Sequence, residues 1–173
     1  MNLKLKNAFT LHNQGKLNQA KDACLEILKE DPNNYKILNL LGIIALQSRD
    51  LIKSSELINK AINIKSDYAE AYYNLGIVCM QLNQPNKALE NWKKAIKFKP
   101  DYAEAYNNYA NLLIGFNQFE LALESYNNAI KYKPKYPEAY NNKGNLLLEM
   151  KKLEEAHESY KNAINYKPDY AEA

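Results

Sequence analysis

The stretch PDYAEA, Pro100 to Ala105, returns letter for letter at Pro168 to Ala173. Near copies stand at Ser66 to Ala71 (SDYAEA) and Pro134 to Ala139 (PKYPEA). Their first residues, Ser66, Pro100, Pro134 and Pro168, are 34 apart, and Pro32 lies one step earlier. A fixed period of this length is the mark of an array of small stacked units, so it governs everything else. The same step joins Gly42, Gly76, Ala110 and Gly144, preceded by Ala8. It also joins Ala20, Ser54, Ala88, Ala122 and Ala156, and then Ala61, Ala95, Ala129 and Ala163. Large residues recur at Ile58, Trp92, Tyr126 and Tyr160, and at Leu38, Tyr72, Tyr106 and Tyr140. One such column would be chance; six in one register are not.

The columns have a physical meaning. Within 69–102, Ala71, Leu75, Val78 and Leu82 fall at helical spacing, followed by Leu89, Trp92, Ile96 and Lys99 along a second segment. Between them lies LNQPNKA, where Pro85 is tolerated at a helix start because its missing N–H has no bond to make there. Each unit is expected to be two antiparallel helices of about 12–14 residues, each roughly 20 Å long. Gly76 and Ala88 let the pair approach closely, Ala95 does the same toward the next unit, and Trp92 fills the space beside them. Pro100 stops the second helix, and Asp101 is expected to cap the next one, at least as its N-terminal flank. The units run 1–34, 35–68, 69–102, 103–136 and 137–170, with 171–173 as the start of a sixth.

A lone pair cannot bury both faces, so stability must come from stacking. The first unit, with Lys4 and Asn7 in place of the later Tyr and Leu, reads as a polar cap. The last does not. Tyr160, Ile164 and Tyr166 are expected to face outward where a sixth helix would begin. Either the chain is a piece of a longer array or a second molecule covers that end, which makes these three residues candidates for self-association.

Bulk properties exclude several classes. The chain has 173 residues and a formal charge of +3 with both signs interleaved, so nothing proposes nucleic acid as partner. The opening MNLKLKNAFTLHNQG holds no apolar core long enough for a signal peptide, and the longest apolar stretch, Ile37 to Leu46, is far too short for a membrane span. Cys24 and Cys79 lack metal-ligand spacing and read as buried thiols in a reduced, cytoplasmic setting. His12 and His157 are isolated, and no phosphate-binding glycine motif occurs. No catalytic residues, metal or cofactor are therefore expected.

The columns resemble the tetratricopeptide repeat family over the whole chain. That resemblance implies an all-α fold, a right-handed superhelical solenoid of antiparallel helix pairs. Its concave groove would be lined by the first helix of each unit and would bind other proteins. The sixth residue of each unit should then face the groove, and it reads Lys6, Leu40, Asn74, Asn108 and Asn142. Asn107 and Asn141 precede two of these, and Asn111 and Asn145 lie one turn on. An amide side chain both donates and accepts, so such a column suits the main chain of an extended polypeptide. Tyr73, next to Asn74, is a candidate aromatic anchor. The phrase YAEAYNNYAN (102–111) and the opening AFTLHNQGKLNQA (8–20) resemble the amino-terminal repeats of O-GlcNAc-transferase-like glycosyltransferases. There an asparagine ladder holds the substrate main chain. Repeat proteins with sulfotransferase domains open similarly.

A carboxylate clamp, which grips chain termini, needs Lys at the second position of a unit. Here that position is Asn2, Lys36, Glu70, Glu104 and Glu138. The acidic column should favour neutral or basic segments. The expected function is thus a non-catalytic scaffold for an extended polypeptide. The alternatives are the substrate-binding arm of a larger glycosyltransferase or sulfotransferase, and a structural array that assembles through its last unit.

Overall fold

The computed structural model describes residues 3–168, all of whose regular structure is helical. The start of a sixth unit expected at 171–173 lies outside the described residues, as does Asn2. The helices are α1 (Leu3–Asn13), α2 (Leu17–Glu30), α3 (Tyr35–Gln47), α4 (Leu51–Ile64), α5 (Ala69–Gln81), α6 (Pro85–Phe98), α7 (Ala103–Gly115), α8 (Phe119–Tyr132), α9 (Pro137–Glu149) and α10 (Leu153–Tyr166). The chain divides into two compact units, Met1–Asn91 and Trp92–Ala173.

In the first unit α1 packs on α2 and α3 on α4, with lesser contacts from α2 to α3 and from α4 to α5. In the second, α7 packs on α8, α8 on α9 and α9 on α10. The second helices are amphipathic for a simple reason: they bury one stripe. In α4 it is Ser54, Leu57, Ile58 and Ala61, and in α8 it is Ala122, Ser125, Tyr126 and Ala129. These are the i, i+3, i+4, i+7 positions of a single helical face. Each large side chain on it contributes roughly 1.5–3 kcal/mol by leaving water. The alanines set the distance between helices. First helices are covered more widely; α3 buries Ile37, Leu38, Leu40, Leu41 and Ile44.

The glycine column marks the tightest approach. A Cβ on Gly42 would lie 2.6 Å from Ile58 Cγ1, and one on Gly144 would lie 2.6 Å from Tyr160 Cε1. Ser54 Oγ donates to the Gly42 carbonyl at 2.8 Å, which satisfies a buried hydroxyl at the same crossing.

Every turn inside a helix pair is built the same way. Gly15, Arg49, Asn83, Asn117 and Lys151, again 34 apart, all have φ between 56° and 71°. The next residue then closes a bond back to the helix, as from Asp50 N to Ala45 O and from Lys152 N to Leu147 O, both at 2.8–2.9 Å. This is the six-to-one closure of a left-handed helix end. Only one of the five positions is glycine, so the sequence shows no uniform signal there.

The entry to α7 corrects one expectation. Asp101 is not its cap: Tyr102 holds that place with no side-chain bond, and the Asp101 carbonyl accepts from Ala103 N at 3.0 Å. Tyr68 and Tyr136 enter α5 and α9 in the same way. Side-chain caps do occur earlier, where Asn34 accepts from Ile37 N and Asp50 from Lys53 N. At the tyrosine entries, contact replaces capping. Tyr68 meets the ring of Tyr35 edge-on at 4.9 Å, and Tyr136 joins Ala103, Ala129 and Ala139 in a buried cluster.

Candidate functional site

Asn74 on α5, Asn108 on α7 and Asn142 on α9 are half-buried, whereas Leu40 on α3 is buried. The asparagines are not simply displayed to solvent. Asn74 Nδ2 donates to Asn39 Oδ1 at 3.1 Å, and Asn142 Nδ2 donates to Asn107 Oδ1 at 3.2 Å. Asn39 and Asn107 are 4% and 5% exposed, so the amides of Asn74 and Asn142 are each tied to a buried amide on the preceding first helix. The bond uses one amide hydrogen and leaves the other, with the side-chain carbonyl, outside it.

Asn39 and Asn107, at the fifth position, are therefore supports. Asn107 sits in the helix interface as an acceptor, and Asn141 is equally buried. Asn141 Oδ1 has no hydrogen-bond partner among the described residues. The signal for this pairing was present in the sequence, since Asn39, Asn107 and Asn141 share a column, but only geometry shows what they accept. Asn111 and Asn145 are exposed, yet each turns its Oδ1 toward the second helix of its own pair. Asn111 accepts from the Tyr126 hydroxyl, and Asn145 accepts from the Tyr160 hydroxyl at 2.7 Å. Tyr73 is half-buried on α5.

Charge around these amides is uneven. Burial would raise the Glu104 carboxyl, but the Lys133 ammonium, 2.8 Å away, outweighs that and holds it below its usual value. Glu104 thus arrives already paired, while Glu138 is exposed. Burial, aided by the Glu70 carboxylate, pushes the Tyr68 phenol up to about 12. Burial also pushes the Cys24 thiol up to about 11 and raises that of Cys79, which makes both poor nucleophiles. Among the described residues no group of side chains could hold a metal ion, and no helix is long and apolar enough to cross a membrane.

On α10, Ile164 and Tyr166 are each 41% exposed and Tyr160 is half-buried. Tyr166 leans on Tyr140 of α9, with ring centroids 5.7 Å apart. A shallow hollow on this helix is lined by His157, Tyr160, Lys161, Ile164 and Asn165.

Models described as tetratricopeptide repeat match residues 69–102 and 137–170, and another matches 91–124. One described as TPR repeat matches 117–151. Among solved structures, MamA is 25% identical with a TM-score of 0.79, over 100% of this chain and 99% of that one. YrrB, described as a TPR protein with an unusual peptide-binding site, is 21% identical with a TM-score of 0.74, covering 98% and 87%. PilF of Pseudomonas aeruginosa is 16% identical with a TM-score of 0.88, covering 94% and 74%. At those identities the last two likenesses show the fold alone. No curated protein matches the sequence.

Proposed function

Because the chain belongs to the tetratricopeptide repeat family, whose models match it from residue 69 to residue 170, we propose that it is a scaffold binding an extended polypeptide. In the second unit the polypeptide's main chain is held by the amides of Asn108 and Asn142, and in the first unit Asn74 offers the same group. The observation that carries this reading is the pairing of Asn74 with Asn39 and of Asn142 with Asn107. Each pairing fixes a rotamer before any ligand arrives, so a donor and an acceptor are presented at little further cost in side-chain entropy. A peptide unit needs that combination, whatever its sequence. YrrB, of the same fold, is described as having a peptide-binding site, which agrees with this use of the architecture.

The acidic second position, Glu70, Glu104 and Glu138, biases the ligand toward neutral or basic segments. Tyr73 supplies an apolar surface beside Asn74. The resemblance of residues 102–111 to glycosyltransferase-borne repeats supports a second reading, in which the same surface presents substrate to an attached transferase domain.

The test uses two peptides, three copies of Ser-Lys-Thr-Val and three copies of Ser-Glu-Thr-Val, titrated into the chain and followed by nuclear magnetic resonance. The lysine peptide should shift the side-chain amide signals of Asn74, Asn108 and Asn142, and the glutamate peptide should bind about tenfold more weakly, a difference of about 1.4 kcal/mol. Equal binding of the two would remove the charge preference. Shifts confined to other surfaces would overturn the proposal.

A further inference from the structure

We infer that the bound segment is a polyproline II helix with an apolar side chain at every third residue and basic residues between, selected by Leu46 and Met80 in the first unit and by Ile114 and Leu148 in the second. The inference rests on the reading above, to which it adds the conformation and the period of the ligand.

Leu46, Met80, Ile114 and Leu148 are 34 apart, and each is the last residue but one of a first helix. None is withdrawn into the core. Met80 is 41% exposed and Leu148 46%, while Leu46 and Ile114 are half-buried. A single apolar side chain in water is ordinary, but one at the same place in four successive repeats makes a stripe. Its place is beside the amides. On α9, Glu138, Asn142, Asn145 and Glu149 fall at i, i+4, i+7 and i+11, one helical face, and Leu148 borders that face one turn beyond Asn145. On α7 the same positions are Glu104, Asn108, Asn111 and Gly115, bordered by Ile114. One turn is about 5 Å along the helix, within reach of a leucine side chain whose main chain lies against the asparagines. Glu138 and Glu149 are both exposed, one near each end of α9, so charge complementarity calls for a basic ligand.

The spacing of the helices sets the period. The bond from Asn142 to Asn107 makes α7 and α9 neighbours, as the bond from Asn74 to Asn39 does α3 and α5. Packed helices stand about 8–10 Å apart, so a chain crossing two of them must present the same groups at that interval. A β-strand rises about 3.3 Å per residue and turns successive side chains to opposite faces. Two of its residues fall short of the next helix, and three bring a side chain to the wrong face. A polyproline II helix rises about 3.1 Å per residue with three residues per turn, so it returns to the same face after about 9.3 Å. It also has no internal hydrogen bonds, which leaves its main chain open to the asparagine amides. Every third side chain then meets the apolar stripe, once per first helix.

The probes are two fluorescently labelled peptides of one composition, titrated with the whole chain and read by anisotropy. The first is three copies of Leu-Pro-Lys. The second, Leu-Leu-Pro-Lys-Pro-Leu-Lys-Pro-Lys, has no two leucines three residues apart. The first should bind about tenfold more tightly, which corresponds to about 1.4 kcal/mol. Met80→Gln combined with Leu148→Gln, both at exposed positions, should bring the two affinities within about twofold while the far-ultraviolet circular dichroism stays the same. Equal affinity of the two peptides for the unaltered chain, no binding of either, or a preference that survives the double variant would overturn the inference. The asparagine signals separate it from the reading it rests on. If three copies of Ser-Lys-Thr-Val shift them while the two leucine peptides bind alike, polypeptide binding stands and the period falls. If no peptide shifts them, both fall.

Discussion

Asn107 and Asn141 are the same residue in successive repeats, equally buried, with different fates. Asn107 accepts the amide of Asn142; Asn141 Oδ1 accepts nothing among the described residues. Truncating either removes similar volume, so the packing loss is common to both and the difference isolates the hydrogen bond. Asn107→Ala should lower stability by about 1–2 kcal/mol more than Asn141→Ala, because it strands the Asn142 amide as well. Urea midpoints of the two variants measure this directly. Equal losses would mean that the amide pair contributes nothing net. The sequence displayed the asparagine column, but an amide in a column can face solvent, a ligand or another amide. Which of these holds follows from the offset between stacked helices, and no single-helix periodicity contains that offset.

At the scale of the element, the helices were legible and their ends less so. Apolar spacing placed two helices in every period, and the alanine and glycine columns marked where they touch. The entry to α7 was misread because Asp101 is a good capping residue in isolation. In the folded chain the tyrosine after it takes the cap position, and the space it fills decides where the helix begins. The left-handed position was missed altogether. Gly15, Arg49, Asn83, Asn117 and Lys151 share a backbone angle and no side-chain chemistry. A residue with a Cβ costs roughly 1–2 kcal/mol there, partly offset by the greater freedom of glycine in the unfolded chain. Lys151 is exposed and has φ 61°, so Lys151→Gly should raise stability by about 0.5–1 kcal/mol, read as a higher urea midpoint. A lower midpoint would mean that the lysine makes a contact worth more than the strain.

For the whole molecule, the period was legible because stacking imposes one geometry on every repeat, and each column records a contact made again and again. Function was less legible for the same reason. A repeated residue reads alike whether it serves packing or binding; Asn74 and Asn142 have one amide hydrogen in the first role, and the second role proposed above would use the rest of the group. Helices in each unit touch their partner and the next pair, and little else. Such nearest-neighbour bonding has a genetic consequence. Excising residues 69–102 would join Tyr68 to Ala103, restoring the phrase SDYAEAY at the seam and bringing Asn108 to the place of Asn74 in the repeat after Asn39. The shortened chain should fold, with a single cooperative transition and helical content reduced in proportion to its length; an excision out of phase with the period should not. Loss and gain of whole repeats by recombination within a coding sequence would then meet no structural barrier, so the length of such a chain is free to drift while its contacts stay the same.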